Sequence, residues 1–293
     1  MTDGSTPAPE PVLVCGAGLM GHGIGQVFAA AGHPVTLYEP DLARAQAGRE
    51  RIAGNLERAV AKGRLDAPAR DEQLARISAS ADLDAAASGA ALVIEAVYED
   101  QAVKRALLAE LDRVAPAGAV LASNTSSISI ARLAEAVSAA RRPKVVGMHF
   151  FSPVPIMPLI ELVRGADTDD ATEAAVRRWA AVIGKQVIVS RDSPGFIVNR
   201  ILMPYLAEAM RAFEEGLGTA EDIDAGARLG LNHPMGPLEL ADFIGLDVCL
   251  DIMEVLFEGF GAAHMAPPAI LREHVAAGRL GQKIGRGFYT YPR

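Results

Sequence analysis

Two side chains with complementary acid–base chemistry stand twelve residues apart in apolar surroundings. His149 ends the run Val145-Val146-Gly147-Met148, and Glu161 interrupts Leu159-Ile160-Leu162-Val163. A neutral imidazole accepts a proton readily near pH 7. A carboxylate inside an apolar run is costly to bury unless it is paired. If the two runs are neighbouring strands, Glu161 holds the imidazole tautomer and stabilises the imidazolium formed on proton uptake, a base with its orienter. Each residue alone also has a plainer reading: a satisfied core or turn histidine, and a surface glutamate on an edge strand.

A second constellation is Gly16-Ala17-Gly18-Leu19-Met20-Gly21, a G-x-G-x-x-G run that follows the apolar residues 12–15 and opens a helix. That context turns a weak pattern into a dinucleotide-binding one. Gly16 permits the tight turn, Gly18 lets the backbone approach a pyrophosphate, and Gly21 allows close helix–strand packing. The helix start, with the amides of Leu19 and Met20, supplies N–H donors and partial positive charge. Glu39 ends the next strand, 18 residues after Gly21. A carboxylate there accepts from a ribose 2′-OH and repels a 2′-phosphate, which favours NAD over NADP. Arg44, the nearest phosphate partner, sits several residues beyond. The plainer readings are a tight turn without a ligand and an exposed strand-end charge.

These residues need a scaffold that brings them to one edge. Apolar runs predict strands at 12–15, 34–38, 91–97, 119–122, 144–151, 156–163 and 186–190. Helical patterns lie at 24–31, 41–62 and 101–114, the last with Asp100 as its cap. Strands alternating with helices mean parallel βαβ units. Beyond Pro194 only helices are predicted, at 196–215, 220–229, 246–257 and 269–277. The reading is therefore α/β: a Rossmann-type doubly wound domain over 12–192, then a smaller all-helical domain over 193–293 for substrate and dimerisation. Residues 1–11, polar and Pro-rich, read as a disordered tail. Ligands of open α/β sheets sit outside the carboxyl ends of the strands. The polar residues expected there are Glu39, Glu99, Asn124 with Ser126, and His149.

Composition narrows the class. The chain has 293 residues, half of them apolar, and a net charge of −8. That balance argues against a nucleic-acid partner, which needs a basic patch. Its two cysteines, Cys15 and Cys249, make no disulfide framework and suit a reducing cytoplasm. No apolar stretch reaches the length of a membrane span, and no metal site is expected.

Taken together, the chain resembles the 3-hydroxyacyl-CoA dehydrogenase family, most closely its short bacterial 3-hydroxybutyryl-CoA dehydrogenases. The likeness rests on the glycine motif and on Glu95-Ala96-Val97-Tyr98-Glu99-Asp100, Ser123-Asn124-Thr125-Ser126-Ser127 and His149-Phe150-Phe151-Ser152-Pro153-Val154-Pro155. It continues through Asp192-Ser193-Pro194-Gly195-Phe196-Ile197-Val198-Asn199-Arg200, Gly236-Pro237, Asp242-Phe243-Ile244-Gly245-Leu246-Asp247 and Gly285-Arg286-Gly287-Phe288-Tyr289. These blocks run in order along almost the whole chain. The resemblance implies that His149 is the catalytic base and Glu161 its partner. It makes Ser126 the contact to the substrate's 3-oxygen, and Asn199 the residue that completes the substrate site. It implies NAD contacts at Glu99, Lys104, Asn124, Ser126 and Lys283, coenzyme A contacts at Asn55 and Lys62, and a homodimer formed through the helical domain. Ser152 stands where the family usually has asparagine, so a contact to substrate there is shorter in reach. Asn55 replaces a common serine.

Of 28 basic residues only five are lysine: Lys62, Lys104, Lys144, Lys185 and Lys283. Three of them fall on positions where the resemblance implies a ligand, and a compact ammonium is not interchangeable with a forked guanidinium. The expected activity is interconversion of (3S)-3-hydroxyacyl-CoA and 3-ketoacyl-CoA with NAD, in fatty-acid or butyrate metabolism. Two alternatives differ in class: a dehydrogenase of free 3-hydroxy acids, and a non-catalytic NAD-binding sensor.

Overall fold

The computed structural model describes residues 9–292. The chain divides into two compact units, one ending at Asp192 and one beginning at Ser193. Of the tail expected at 1–11, residues 1–8 lie outside the described residues. Glu10 is anchored: its carboxylate accepts from Trp179 Nε1 at 2.7 Å and its carbonyl oxygen meets His33 Nδ1 at 2.8 Å. Residues 9–11 of the expected tail thus belong to the described chain, and two side chains from the folded unit take up Glu10.

The first unit is built on eight strands: β1 (Val12–Cys15), β2 (Val35–Tyr38), β3 (Ile77–Ser80), β4 (Leu92–Glu95), β5 (Val120–Ser123), β6 (Val145–Phe150), β7 (Leu159–Arg164) and β8 (Gln186–Arg191). Their order in the sheet is β3-β2-β1-β4-β5-β6-β7-β8. All neighbours are parallel except β6 and β7, which are antiparallel. The exception departs from the expected parallel rule for a simple reason. Only residues 151–158 link these two strands, and a parallel crossover needs about a dozen or more. Strands β1, β4, β5 and β6 are buried throughout. A parallel sheet is covered on both faces, so its strands read as unbroken apolar runs.

Seven helices belong to this unit: α1 (Leu19–Ala30), α2 (Leu42–Ala61), α3 (Ala67–Ala75), α4 (Leu83–Ala87), α5 (Gln101–Val114), α6 (Ile130–Ala134) and α7 (Asp170–Val182). Helix α1 starts at Leu19, ahead of the predicted residue 24, because its glycines carry no apolar period. Asp100 caps α5 as its position predicts, accepting from Val103 N at 2.8 Å; such a cap is worth about 1 kcal/mol. Strand β3 escapes the apolar reading because only Ile77 of its four residues is buried. The sheet order reverses direction between β1 and β4. At that point the crevice outside the carboxyl ends can take a ligand.

The second unit contains α8 (Val198–Glu214), α9 (Ala220–Ala225), α10 (Pro237–Ile244), α11 (Leu246–Phe260) and α12 (Ala269–Ala276). Its core includes Met203, Leu206, Met210, Leu238, Cys249, Met253 and Leu271. Two buried carboxylates organise it. Asp224 accepts from Leu238 N and Glu239 N and so holds the start of α10. Asp242 accepts from Phe288 N and Tyr289 N and fastens the final turn. Among the described residues no helix is long and apolar enough to cross a membrane.

Candidate active site

The loop from β1 to α1 lies at the reversal of the sheet. Gly16 has φ +97°, and a β-carbon there would meet the Ala96 carbonyl oxygen at 2.5 Å, so both conformation and space require glycine. A β-carbon on Gly21 would collide with the Gly16 carbonyl. Gly18 differs: no protein atom lies within 4 Å of where its β-carbon would stand. Packing inside the chain therefore does not demand glycine there, whereas a pyrophosphate laid across the first amides of α1 does. Leu19 and Met20 form that first turn. The Glu39 carboxylate comes back from β2 and accepts from Ala17 N at 2.7 Å, with Arg44 Nε at 3.9 Å from its other oxygen. A negative charge is thus fixed beside the glycine loop, where a dinucleotide's adenosine ribose would sit. These residues fit the nicotinamide dinucleotide that the motif implies.

A charged cluster underlies the neighbouring edge. Glu95, the last residue of β4, is wholly buried. It accepts from Lys104 Nζ at 2.6 Å, Ser123 Oγ at 2.6 Å and Val97 N at 2.8 Å. Lys104 projects from α5 and is buried as well, and its ammonium also lies 3.2 Å from a Glu99 oxygen. The other Glu99 oxygen gathers the turn after β5, accepting from Ser126 N at 2.9 Å, Ser127 N at 3.2 Å, Ser127 Oγ at 2.9 Å and Thr125 Oγ1. Burial raises the Glu99 pKa, but Lys104 and these donors outweigh it and hold the carboxyl below its ordinary value. The expected cofactor residues Glu99 and Lys104 are therefore also the frame that holds Ser126. Asn124 ties the same turn to the next strand, its Oδ1 accepting from Phe150 N at 2.8 Å.

His149 and Glu161 are cross-strand partners in the β6–β7 register. His149 Nδ1 lies 3.0 Å from Glu161 Oε2; Glu161 is wholly buried and His149 nearly so. In the neutral imidazole the Nδ1–H donates to that carboxylate, which makes Nε2 the basic nitrogen. The Phe151 ring packs on the imidazole with centroids 4.5 Å apart. The antiparallel pairing places the two residues opposite each other on one face of the sheet.

Asn55 and Lys62 line a cavity of about 390 Å³ between α1, α2 and the link 151–158, and Ser152 stands on its far wall. Arg58 and Arg64 line it too. Neither cation is marked by the sequence, because arginine recurs throughout residues 44–76 and no period singles these out. Asn55 bridges Gln26 Oε1, at 3.0 Å, and the Arg58 guanidinium. Three cations on one cavity suit a ligand rich in phosphate.

The remaining expected residues belong to the second unit. Asn199 is buried in the first turn of α8. Lys283 is held by both oxygens of Asp247, at 2.6 and 2.5 Å. Two positioning residues, Glu95 and Asp192, were given no role from the sequence, and Lys104 was expected only as a cofactor contact, not as the partner of Glu95. Glu95 interrupts an apolar strand in the same way as Glu161. Lys104 stands at helical spacing with the buried Leu108 and Leu111, an anomaly on an apolar face. Asp192 accepts from Ile130 N, Ala131 N and Ser129 Oγ at 2.7–3.0 Å and fixes the start of α6; no local pattern announces that contact across more than sixty residues.

Comparison with known proteins agrees with this geometry. Residues 11–193 match the family model for the 3-hydroxyacyl-CoA dehydrogenase NAD binding domain, and residues 195–291 match the model for the C-terminal domain of the same family. A 3-hydroxybutyryl-CoA dehydrogenase of Mycobacterium tuberculosis is 50% identical over 97% of this chain and 99% of its own length. One from Bradyrhizobium diazoefficiens is 50% identical over 96% of this chain and 95% of its own. The crystal structure of (S)-3-hydroxybutyryl-CoA dehydrogenase from Ralstonia eutropha superposes with a TM-score of 0.93 at 44% identity, covering 97% of this chain and all of that one. A glycine loop that cradles a dinucleotide, a histidine aimed by a buried glutamate and two matching family domains lead to one statement: the chain belongs to the 3-hydroxyacyl-CoA dehydrogenase family.

Proposed function

We propose that this protein interconverts (3S)-3-hydroxyacyl-CoA and 3-ketoacyl-CoA with NAD, and that its substrates are short, of the 3-hydroxybutyryl-CoA and acetoacetyl-CoA class. The observation that carries the reading is the 3.0 Å contact between His149 Nδ1 and the buried Glu161 carboxylate on the antiparallel pair β6–β7. Bound NAD supplies the hydride acceptor, or as NADH the donor. The chain supplies proton management. His149 Nε2 takes the 3-hydroxyl proton as hydride leaves C3, and Glu161 stabilises the imidazolium. In the reverse direction that imidazolium protonates the developing alkoxide. The Ser126 hydroxyl, held in place by the Glu99 frame, donates to the 3-oxygen, and Asn199 completes the substrate site. Glu39 selects NAD by accepting from the ribose and repelling a 2′-phosphate. Glu99, Lys104, Asn124 and Lys283 support the cofactor side. Lys62 and Asn55, with Arg58 and Arg64 beside them, receive the phosphates of coenzyme A, and Ser152 meets the thioester arm. The enzyme works in the cytoplasm as a homodimer joined through the helical unit, in fatty-acid or butyrate metabolism.

The test is a series of 3-ketoacyl-CoAs of increasing chain length, with free acetoacetate beside them, assayed with NADH and NADPH in parallel. The expected result is a kcat/KM at least about a hundredfold higher for acetoacetyl-CoA than for acetoacetate, and higher with NADH than with NADPH. Equal rates on the free acid would replace this reading by a dehydrogenase of 3-hydroxy acids. Cofactor binding without turnover on any of them would replace it by a sensor.

A further inference from the structure

The link 151–158 between β6 and β7 carries Pro153, Pro155 and Pro158. Three of its residues therefore lack an amide donor; the amides of Ile156 and Met157 both turn back onto the Pro153 carbonyl, and the Val154 and Met157 carbonyls take donors from outside the link. Lys185 provides them. It stands just ahead of β8 and is buried, and its Nζ donates to the Val154 carbonyl at 2.7 Å and the Met157 carbonyl at 2.6 Å. Among the described residues no carboxylate pairs with this ammonium, and burial pushes its pKa down. From the opposite side, Val154 is seated on α1: a β-carbon at Gly23 would come within 2.9 Å of Val154 Cβ.

The segment so gripped is one wall of the cavity described above. Ser152, Pro153, Val154, Pro155 and Ile156 face Asn55, Arg58 and Lys62 across it. The same segment begins directly after the strand that carries His149. A buried ammonium without a counter-charge is a costly way to hold a loop. What it offers is two short bonds from one atom to two carbonyls, beyond the single turn the link closes on Pro153 by itself.

We propose that Lys185 is a positioning residue for the acyl-CoA arm. By clamping residues 154–157 it sets the width of the pocket that receives coenzyme A. The proposal rests on the assignment of that pocket to coenzyme A made under the proposed function.

The experiment measures coenzyme A binding to the full-length enzyme by calorimetry, with steady-state kinetics on acetoacetyl-CoA and NADH. For Lys185→Met the expected result is a Kd for coenzyme A and a KM for acetoacetyl-CoA raised about tenfold or more, with kcat and the KM for NADH changed by less than about threefold. Lys185→Gln, which keeps a donor but reaches one carbonyl only, is expected to lie between. Gly23→Ala pushes the same wall from the α1 side and is expected to show the same split, so the test survives if the methionine variant does not fold. An unchanged Kd for coenzyme A with a lowered melting temperature would make Lys185 a purely structural residue. A common fall in kcat and rise in both KM values would do the same. Lys62→Ala separates the two layers. If it leaves the coenzyme A Kd unchanged, the assignment of the pocket is wrong; if it weakens binding while Lys185→Met does not, only the clamp is wrong.

Discussion

Glu95 and Glu161 occupy equivalent settings and serve different partners. Both stand in apolar strands of one sheet, and neither is exposed. Glu95 meets the Lys104 ammonium and takes two further hydrogen bonds. Glu161 meets an imidazole, which gains full charge only when His149 has taken a proton. The first carboxylate is saturated and static. The second is arranged to become better partnered during the reaction, and interactions that strengthen only as the reaction proceeds are those that raise kcat. On the function proposed above, one residue type in one kind of strand thus gives a scaffold in the first case and a catalytic device in the second, and the partner decides which.

The largest effect that would break this comparison is expected at His149. Replacing it by glutamine removes the base and leaves Glu161 an amide to bond. Turnover should fall about 10²–10⁴-fold, with the melting temperature nearly unchanged. Stopped assays on acetoacetyl-CoA, with circular dichroism to monitor folding, give both numbers. A loss of less than about tenfold in folded enzyme would take the imidazole out of the chemistry and leave Glu161 as static as Glu95.

Lys104→Met tests the saturated site. It strands Glu95 as an uncompensated buried carboxylate, a change that typically costs about 3–5 kcal/mol of stability. Urea unfolding reads this directly. The double variant Lys104→Met with Glu95→Gln should recover part of the loss, since no charge is then left alone. The release of Glu99, whose carboxyl Lys104 helps to hold below its ordinary pKa, adds an acid signature. A depressed carboxyl contributes stability that is present above its unfolded value and is lost as pH falls through the folded one. The wild type should therefore keep an advantage over the single variant at neutral pH that narrows on acidification. A double variant no better than the single one would show that the pair is not the unit the geometry describes.

Glu161→Gln makes the substitution at the switchable site that has little to gain at the saturated one. The amide can still accept from Nδ1–H, so orientation survives while the charge that favours imidazolium is lost. A fall in kcat of about tenfold to a hundredfold is expected, smaller than for His149→Gln, with KM for NADH unchanged. Glu95→Gln should do the reverse, lowering stability more than kcat. If both glutamines lower stability and turnover in the same ratio, the distinction between the two carboxylates fails.

Much of the sheet was legible because parallel strands covered on both faces read as plain apolar runs, as at Leu92–Glu95 and Val145–Phe150. Edge strand β3 was not, since a half-exposed strand with two serines carries no such run. Helix α7 was missed over Asp170–Val182, where apolar residues are diluted by charge and only four positions are buried. At the site, the glycine loop, Glu39 and the His149–Glu161 pair announce themselves through residue types out of place in their surroundings. Glu95 and Lys104 were equally out of place, yet a carboxylate at the end of a strand is easily taken for a surface charge. Lys185 and Asp192 left no local trace. Their partners are backbone atoms brought near only by the fold, and backbone carbonyls and amides have no letter in a sequence.

The smallest expected effect sharpens the comparison from the opposite direction, at a buried histidine that has arginines for neighbours. His274 is buried in α12, stacked on Phe288 with ring centroids 4.6 Å apart, and its Nδ1 has no hydrogen-bond partner among the described residues. Burial, followed by the charges of Arg279 and Arg286, pushes its pKa down from the usual 6.5 to about 4. Below 6.5 the unfolded chain binds a proton that the folded chain refuses until about 4. Stability of the helical unit is therefore full above pH 6.5, falls as pH drops through that window and levels off below it, with a slope of at most about 1.4 kcal/mol per pH unit. His274→Gln cannot titrate and should show a shallower decline, so that wild type and variant converge on acidification by an amount on the order of 1 kcal/mol. Melting temperatures taken between pH 7 and 4 measure the convergence. Parallel curves would mean that His274 takes up its proton in the fold as readily as outside it. A buried imidazole would then need no carboxylate to accept charge, and the pairing with Glu161 would lose its physical reason.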